Sequence, residues 1–327
     1  MSLPRITVIT PSFQQGEFIR DTIESVLSQG YENLEYIIID GGSIDDSVEI
    51  IREYEDSLSY WVSEKDSGQS EALNKGLKKA TGDIITWLNS DDKLTPGALA
   101  QVASEFRPEV GLYFGDTLIK MSNGNSWINK VDLNMLKAQM IGGMPFSQPS
   151  CFFNGDIFRT HALRVEDQLH MGMDYYLFLQ ILCVSEFKYC GAVLSEYLFH
   201  PASKSSTMNS RFADEWSLVF KSFIKKIAPE ASTHMKFFSP SHIEGELDFP
   251  GDPKFSALEI KTGYFFYLYN QIKFRYEDLD LIMTRSILKE IKDRYPQEYK
   301  THSLDKMAWR TFLPRWIVRT FRKKHSS

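Results

Sequence analysis

Two hydrophobic patterns alternate along the first ninety residues of the chain. Arg5–Thr10 and Leu34–Ile39 are short runs of apolar, mostly β-branched residues, which predict buried strands. Between them, Glu17–Gln29 repeats apolar residues at the spacing of one helical face, and Gly30 follows. The same patterns predict helices at Ser47–Tyr54 and Gln69–Ala80 and strands at Tyr60–Val62 and Asp83–Leu88. The alternation indicates βαβ units and an α/β fold with a doubly wound, mostly parallel sheet.

The alternation weakens beyond residue 110, and the C-terminal third of the chain has mainly helical patterns. The apolar runs predict strands at Leu112–Phe114, Pro149–Asn154 and Tyr189–Val193, and helices at Tyr175–Val184, Phe255–Tyr276 and Glu277–Tyr295. We therefore divide the chain into residues 1–115 and 116–206, as two halves of one domain, and residues 207–327, as a helical C-terminal extension.

Composition narrows the class of protein. The chain has 327 residues, of which 43% are hydrophobic, so it can bury a sizeable core. Its apolar stretches are much shorter than the roughly 18 residues of a membrane span, and the N-terminus lacks the pattern of a signal peptide. The cysteines Cys151, Cys183 and Cys190 are odd in number and lack metal-type spacing, which favours a reduced, cytoplasmic setting.

Charge is distributed unevenly along the chain. The net charge of −6 argues against nucleic-acid binding, which usually requires a basic footprint. From Lys306 to the end, however, there are seven Lys and Arg residues and no acid. Aromatic and aliphatic residues recur among them at helical spacing. The pattern predicts either an amphipathic helix that makes peripheral contact with an anionic membrane surface or a packing helix with a solvated basic end.

The residues just after each predicted strand carry the candidate chemistry, because ligands bind beyond the carboxyl ends of parallel strands. Asp91 and Asp92 follow the strand that ends at Leu88. Adjacent carboxylates suit a hard divalent cation such as Mg²⁺ or Mn²⁺. The alternative is a turn that caps a helix near Pro96.

Asp40 ends the second predicted strand and precedes Gly41, Gly42 and Ser43. An acid at this position either accepts hydrogen bonds from a ribose or base or forms a local Asx-turn. The chain has neither G-x-G-x-x-G after the first strand nor the phosphate-binding motif G-x-x-x-x-G-K-[ST]. Dinucleotide oxidoreductases and P-loop phosphotransferases are therefore disfavoured.

Taken in order, the strand-end motifs ITPSFQQGEF, IIIDGGS, SEKDSGQSEALNKG and WLNSDD resemble those of the family 2 glycosyltransferases of the GT-A fold. The resemblance covers Arg5 to about Leu99 and continues more weakly to about Thr207. It implies transfer of a sugar, with inversion, from a nucleotide-diphosphate donor, for which a UDP-sugar is favoured. The implied acceptor is a saccharide or a lipid-linked molecule, in bacterial cell-surface polysaccharide or glycoconjugate synthesis. Residues 1–115 would then bind the donor and residues 116–206 the acceptor.

The resemblance also implies roles for individual residues near the donor. The implied donor-binding residues are Pro11, Ser12 and Phe13 around the base, Asp40 at the nucleoside, Asp66 and Gln69 beside the same pocket, and Asn89 and Ser90. The D-x-D metal motif of the family falls on Asn89-Ser90-Asp91, so Asp91 is the implied ligand of Mn²⁺ or Mg²⁺, with Asp92 next to it. Asn89 departs from the motif because it brings no charge.

The remaining implied residues lie in the second half of the domain. Asp174 resembles the catalytic base of the family, and Glu166 and Asp167 are the alternative bases; Asp174 is otherwise an N-cap of the following helix. His200 is implied as a third metal ligand or a diphosphate contact, and Lys204 as a diphosphate contact. Two other functions stay open: a sugar nucleotidyltransferase, although the loop PSFQQGEF lacks the Arg and Lys expected of one, and a non-catalytic nucleotide-sugar-binding scaffold.

Overall fold

The computed structural model describes residues 3–200, 203, 209–238 and 245–323. The chain divides into two units. Unit 1 comprises residues 1–131, 146–200 and 250–253, and unit 2 comprises residues 132–145, 201–249 and 254–327. The division at residues 115 and 206, with its donor and acceptor halves, stays a prediction.

The predicted strand–helix alternation forms the first half of the sheet in unit 1. The strands are β1 (Ile6–Ser12), β2 (Leu34–Asp40), β3 (Tyr60–Ser63) and β4 (Ile84–Trp87), and the helices are α1 (Ile19–Leu27), α2 (Ser47–Glu53) and α3 (Gln69–Lys79). The four strands are parallel and lie in the order β3-β2-β1-β4. All residues of β1 are buried, as are all but the first residue of β2, which explains why these strands are apolar on both faces.

The second half of the sheet is mainly antiparallel. It contains β5 (Lys93–Leu94), β6 (Val110–Met121), β7 (Ser126–Asn129), β8 (Cys151–Asn154) and β9 (Glu186–Phe199), with α4 (Ala98–Glu105), α6 (Gly155–Thr160) and α7 (Met173–Val184) in the same unit. The order continues β4-β8-β6-β9-β5, and β7 pairs with β6. Only β6 and β9 are parallel here. The mixed sheet with helices confirms the predicted α/β fold class.

Helix α3 packs unusually close to β1. A Cβ atom built on Gly76 would lie 2.5 Å from Cγ2 of Ile9, well inside van der Waals contact. A residue without a side chain is therefore required at position 76 for this approach. The close contact fixes the N-terminal end of α3, which begins at Gln69, relative to the end of β1.

Unit 2 is helical. Its helices are α5 (Leu136–Gly142), α8 (Asn209–Ile227), α9 (Pro229–Ser232), α10 (Ala257–Glu277), α11 (Leu281–Arg294), α12 (Pro296–Thr301), α13 (Leu304–Arg310) and α14 (Arg315–Lys323). Helices α10 and α11 confirm the two long helices predicted there, and Ser256 and Glu259 form a capping box at the start of α10. Across the described ranges, none of the helices combines the length and apolar character needed to cross a bilayer.

Candidate functional site

The carboxyl ends of three parallel strands lie side by side at one edge of the sheet. Ser12 is opposite Asp40 in the register of β1 and β2. The backbone N–H of Leu88, just after β4, donates to the carbonyl oxygen of Ile9 in β1 at 2.9 Å. The segments that leave these strands, including Asn89–Asp92, therefore start next to one another, as the strand-end analysis expects.

Asp40 is fully buried and holds its own loop together. Its Oδ2 accepts hydrogen bonds from the backbone N–H groups of Gly42 and Ser43, at 3.1 and 2.9 Å, and from the hydroxyl of Ser63 at 2.6 Å. Its Oδ1 accepts from the Ser43 hydroxyl at 2.6 Å. The Asx-turn considered from the sequence is thus present. The contact of Asp40 with a nucleoside stays a prediction.

Asp66 lies against the loop that Asp40 shapes. A Cβ atom on Gly41 would be 2.9 Å from Oδ2 of Asp66, so glycine lets the carboxylate approach the backbone. Burial raises the pKa of Asp66 above its ordinary value, with the charges of Glu71 and Asp40 adding to the effect and the hydrogen bond from Gly68 opposing it. Asp66 and Asp40 therefore form one cluster of acids at the ends of β2 and β3.

Asn89 links α3 to the turn that follows β4. Its Oδ1 accepts from Nε2 of Gln69 at 2.7 Å, and its Nδ2 donates to Oδ2 of Asp92 at 3.2 Å. An amide can accept and donate at once, whereas a carboxylate can only accept. Asn89 therefore bonds to Gln69 and Asp92 together, which an aspartate at this position could not do while Asp92 is ionised.

Asp92 points into the protein. It is 1% exposed, and its Oδ1 accepts from the backbone N–H of Leu198 at 3.3 Å. Burial raises the pKa of Asp92 well above its ordinary value, and the charge of Asp91 raises it further. The turn expected at this position is present, with Asp92 N–H donating to Asn89 O at 3.1 Å, but the residue before α4 is Gly97 rather than an aspartate.

Asp91 lies beside His200, although 109 positions separate them in the chain. Antiparallel pairing of β5 with the end of β9 brings the two segments together, since Lys93 is opposite Glu196. His200 Nε2 is 3.1 Å from Oδ2 of Asp91, and the imidazole packs on Phe18 with 4.8 Å between ring centroids. The His200 and Asp91 side chains are 10% and 21% exposed, so the pair is partly desolvated.

The ligand atoms available at the strand ends suit a divalent cation that takes its further ligands from a substrate. Asp91 offers a carboxylate oxygen and His200 an imidazole nitrogen, both suited to Mn²⁺. The oxygens of Asp92 already accept hydrogen bonds from Asn89 and Leu198. No group of three His, Cys, Asp or Glu residues suited to holding a metal occurs in the described part of the chain. A cation here would therefore rely on Asp91, His200 and oxygens from outside the protein.

Asp174 is the second residue of α7, and Gly172 rather than Asp174 is the N-cap of that helix. The Asp174 side chain is half-buried, and its Oδ1 accepts from the backbone N–H of Tyr175 at 2.7 Å. Its charge, after burial, contributes to raising the pKa of the Cys151 thiol at the start of β8. Asp174 thus lies near the strand that pairs with β4.

Helix α3 also holds the segment that precedes Asp174. The hydroxyl of Ser70 donates to Leu169 O at 2.5 Å. Nδ2 of Asn74 donates to Val165 O and to Oδ1 of Asp167, at 2.9 and 2.6 Å. The alternative base Asp167 is therefore engaged by Asn74. One helix contacts both Asn89, through Gln69, and the approach to α7.

The other predicted residues fall in different environments. Pro11 and Ser90 are buried, and Phe13 is 58% exposed just beyond β1. Lys204 lies outside the described residues. The hydroxyl of Ser12 and Oε1 of Gln148 are buried without a hydrogen-bond partner among the described residues.

Gln148 also lies against the end of β4, although the sequence does not indicate a role for it. It donates from Nε2 to Trp87 O, at the end of β4, at 2.8 Å. No local pattern signals its role, because the contact joins residues 61 positions apart.

The N-terminal part of the chain, which contains the strand ends described above, matches a known protein family. Residues 7–160 match the family model of glycosyl transferase family 2. An uncharacterized glycosyltransferase of Rickettsia typhi is 25% identical over 248 residues, covering 71% of this chain and 76% of that protein. One of Mycobacterium tuberculosis is 40% identical over 102 residues, covering 31% of this chain and 39% of its own length. TuaG of Bacillus subtilis, named for teichuronic acid biosynthesis, is 39% identical over 93 residues, covering 28% and 37%.

Solved structures share the fold over nearly the whole chain. TarS of S. aureus, in complex with UDP-GlcNAc, has a TM-score of 0.57 at 14% identity and covers 98% of this chain and 92% of that one. The mannosyltransferase PcManGT from Pyrobaculum calidifontis, in complex with GDP-Man and Mn²⁺, has a TM-score of 0.58 at 16% identity and covers 98% and 84%. Residues 7–160 thus match glycosyl transferase family 2, and nearly the whole chain shares the GT-A fold of these solved glycosyltransferases.

Proposed function

We propose that the protein transfers a sugar, with inversion, from a nucleoside-diphosphate sugar to a hydroxyl of a saccharide or lipid-linked acceptor. The observation that carries the proposal is the pair formed by Asp91 and His200 at the carboxyl end of β4, with Asn89 hydrogen-bonded beside it. A carboxylate and an imidazole at the ligand-binding edge of the sheet suit a diphosphate with its counter-cation.

The protein would hold the donor at this edge. Asp91 and His200 would bind Mn²⁺ or Mg²⁺, and such a cation, when bound, neutralises charge on the departing diphosphate. Asp40 would keep the loop Gly41–Ser43 in the shape that receives the nucleoside, with Asp66 beside it. Lys204 keeps its proposed role at the diphosphate.

Asp174 is the proposed base. As the acceptor oxygen forms its bond to the anomeric carbon, the bond from that carbon to the diphosphate oxygen breaks, and the hydroxyl proton passes to the Asp174 carboxylate. The diphosphate takes the electron pair of the broken bond. A single displacement of this kind inverts the anomeric centre, and a double displacement would require a second carboxylate as nucleophile.

The biosynthetic process and cellular compartment of the reaction are proposed from the names of relatives and from the cysteines. TuaG is named for teichuronic acid biosynthesis, which supports a role in bacterial cell-surface polysaccharide synthesis. TarS was solved with UDP-GlcNAc and PcManGT with GDP-Man, so the family match leaves the base of the donor to experiment. Cys151, Cys183 and Cys190 form no disulfide with one another, and the cytoplasmic setting stays a proposal.

Donor binding is tested by thermal unfolding with UDP, GDP, dTDP and CDP, each with and without Mn²⁺. A nucleotide at 100 times its dissociation constant stabilises by about 2.7 kcal/mol, which is readily detected. We expect one nucleotide to stabilise the protein only with Mn²⁺. Asp91→Asn should abolish the shift, whereas Asp56→Asn, a control at an exposed aspartate, should retain it. The absence of any nucleotide–metal shift in the wild type would contradict the proposal.

Catalysis is tested by hydrolysis of the nucleotide sugar identified in the binding experiment, since water replaces the unknown acceptor. We expect NMR of the first product to show the anomer opposite to that of the donor. Asp174→Asn should remove hydrolysis and leave the nucleotide-dependent thermal shift intact. Asp167→Asn should retain most of the hydrolysis. Loss in Asp167→Asn alone would move the base to Asp167. Binding without turnover in the wild type, with acceptors supplied, would favour the scaffold. Formation of sugar 1-phosphate and the nucleoside triphosphate when pyrophosphate is added would favour the nucleotidyltransferase.

A further inference from the structure

The C-terminal end of unit 2 presents large aromatic side chains to solvent. Trp309 near the end of α13, Phe312 in the following turn and Trp316 in α14 are 61%, 75% and 71% exposed. They lie within eight residues of one another, within and on both sides of the turn at residues 311–314. We call these three residues and the neighbouring Arg315 and Arg319 the C-terminal surface. Exposed tryptophans grouped in this way mark an interaction site more often than an ordinary surface.

The opposite side of the same segment is anchored to unit 2. Val318 is fully buried in a cluster with Tyr276, Leu279 and Leu281. Because successive helical residues are about 100° apart, Val318 and Trp316 are on opposite sides of α14. Packing of the helix, the alternative considered from the sequence, thus accounts for Val318 but leaves Trp316 exposed on the other side.

The charged residues of the C-terminal segment after Asp305 are all basic. Arg315 and Arg319 are exposed, lie one turn apart in α14 and flank Trp316. The chain after Asp305 has seven Lys and Arg residues and no acid, whereas the preceding 305 residues carry 30 basic and 43 acidic residues. The C-terminal surface is therefore basic on a protein that is otherwise acidic.

We propose that the C-terminal surface binds an anionic lipid bilayer at the level of its headgroups. Tryptophan and phenylalanine rings insert at the boundary between headgroups and acyl chains, and arginines attract the anionic headgroups. A symmetric contact between two copies of the chain is disfavoured, since it would bring two basic surfaces together. The proposal does not rest on donor binding, because the residues proposed to bind the donor, apart from Lys204, are in unit 1.

Binding is measured by sedimentation of the full-length chain with vesicles in about 0.1 M NaCl. We expect partition to vesicles of phosphatidylglycerol and phosphatidylcholine in equal parts to be at least about ten-fold stronger than to pure phosphatidylcholine. Added salt should weaken it. Equal partition to both vesicles, or none to either, would overturn the proposal.

Two variants separate the contributions of rings and charges. Trp309→Ala/Phe312→Ala/Trp316→Ala should weaken partition at least about ten-fold. Arg315→Glu/Arg319→Glu should weaken it at least about 25-fold, because each basic residue near the surface contributes about five-fold. Their controls are Trp127→Ala, at a tryptophan that is 51% exposed in unit 1, and Arg52→Glu/Lys254→Glu, at exposed positions elsewhere.

Two further measurements check that the variants fold and that the C-terminal surface is not a dimer interface. Both C-terminal variants should show the same nucleotide-dependent thermal shift as the wild type, which verifies that they fold. Equal loss of vesicle binding in Trp127→Ala would count against the proposal. So would a concentration-dependent dimer that only the C-terminal variants lose, since the surface would then be occupied by a second copy.

Discussion

At the residue scale, the turn after β4 depends on an exchange of hydrogen bonds that a family motif does not reveal. Asn89 accepts from Gln69 and donates to Asp92, and Asp92 in turn accepts from the backbone of Leu198. The turn is thereby tied to α3 on one side and to the end of β9 on the other. Asp91, the remaining acid of the turn, is the one beside His200.

The Asn89→Asp variant tests this arrangement. A carboxylate at position 89 cannot donate to Asp92 and adds a like charge beside a buried acid, so we expect a loss of about 1–3 kcal/mol in stability. The swapped pair Asn89→Asp/Asp92→Asn restores one donor and one acceptor. It should therefore unfold at a higher temperature than Asn89→Asp alone. A swapped pair that is less stable than Asn89→Asp would show that the hydrogen bond between the two residues is unimportant.

Glu35 in β2 is a second buried acid with a stabilising role. Its carboxylate accepts from Thr7 at 2.6 Å and from the backbone and side chain of Thr81 at 2.7 and 2.8 Å. Burial alone raises the pKa of Glu35, but these hydrogen bonds and the charge of Arg5 outweigh it, so the pKa is lowered overall. A lowered pKa in the folded state means that the ionised group stabilises the protein above its ordinary pKa of 4.5.

We expect Glu35→Gln to lower the free energy of unfolding by about 1–3 kcal/mol at neutral pH, because an amide cannot accept all of these hydrogen bonds. The stabilisation by Glu35 is lost as the pH falls through its lowered pKa, so the difference between variant and wild type should shrink on acidification. Urea unfolding at several pH values measures it, with the exposed Glu32→Gln as control. A difference that is constant with pH would contradict the explanation.

At the element scale, α3 connects the two parts of the candidate site. Its first residue, Gln69, contacts Asn89, and Ser70 holds the carbonyl of Leu169 ahead of α7. Gly76 lets the helix lie against Ile9 of β1, so both contacts start from a fixed position. The helix thereby contacts both Asn89 and the segment that leads to Asp174.

Ser70→Ala removes the hydrogen bond to Leu169 and leaves α3 otherwise unchanged. We expect amide hydrogen exchange in residues 166–172 to accelerate roughly five- to ten-fold, since a buried carbonyl loses its partner. Nucleotide-dependent stabilisation should be unaffected, whereas donor hydrolysis should fall. Ser104→Ala is the matched control, because Ser104 is exposed in α4 and its hydroxyl donates to Gln101 O. Faster exchange throughout unit 1 would indicate general destabilisation instead of a local role.

The extent to which the elements could be predicted follows from how local their signals are. Strands β1, β2 and β4 and helices α1 and α3 are set by apolar spacing within a few residues, and the sequence predicts them nearly to their ends. β9 runs from Glu186 to Phe199, but only Tyr189–Val193 was predicted, because half-buried residues at its ends do not form an apolar run. The two-residue strand β5 depends wholly on its pairing with β9.

The candidate site was predictable to the same degree. The resemblance indicated Asp91 as the metal ligand with Asp92 next to it, and the pairing of β5 with β9 gives the two acids different partners. Asp92 turns inward to Leu198, while Asp91 lies beside His200. Both contacts span more than 100 residues, so no local pattern reveals them. Gln148 was missed for the same reason.

At the scale of the whole molecule, the chain passes repeatedly between two compact units. The described core of unit 1 includes Ile6, Val8 and Ile38, and that of unit 2 includes the cluster around Val318. The residues proposed to bind the donor are in unit 1, apart from Lys204, and the C-terminal surface is in unit 2. Nucleotide binding and membrane binding can therefore be measured separately, the first on unit 1 and the second on unit 2.

Binding of the nucleotide should stabilise unit 1 selectively. With the nucleotide and Mn²⁺ at 100 times the dissociation constant, amides of β1 and β4 that exchange only on unfolding of unit 1 should gain about 2.7 kcal/mol of protection. We expect amides of α10, in unit 2, not to change, because compact units can unfold separately. Hydrogen exchange with mass spectrometry measures both sets in one experiment, and Asp91→Asn should abolish the gain. Equal protection of α10 would mean that the two cores unfold as one, and protection of α10 alone would exclude unit 1 as the donor site.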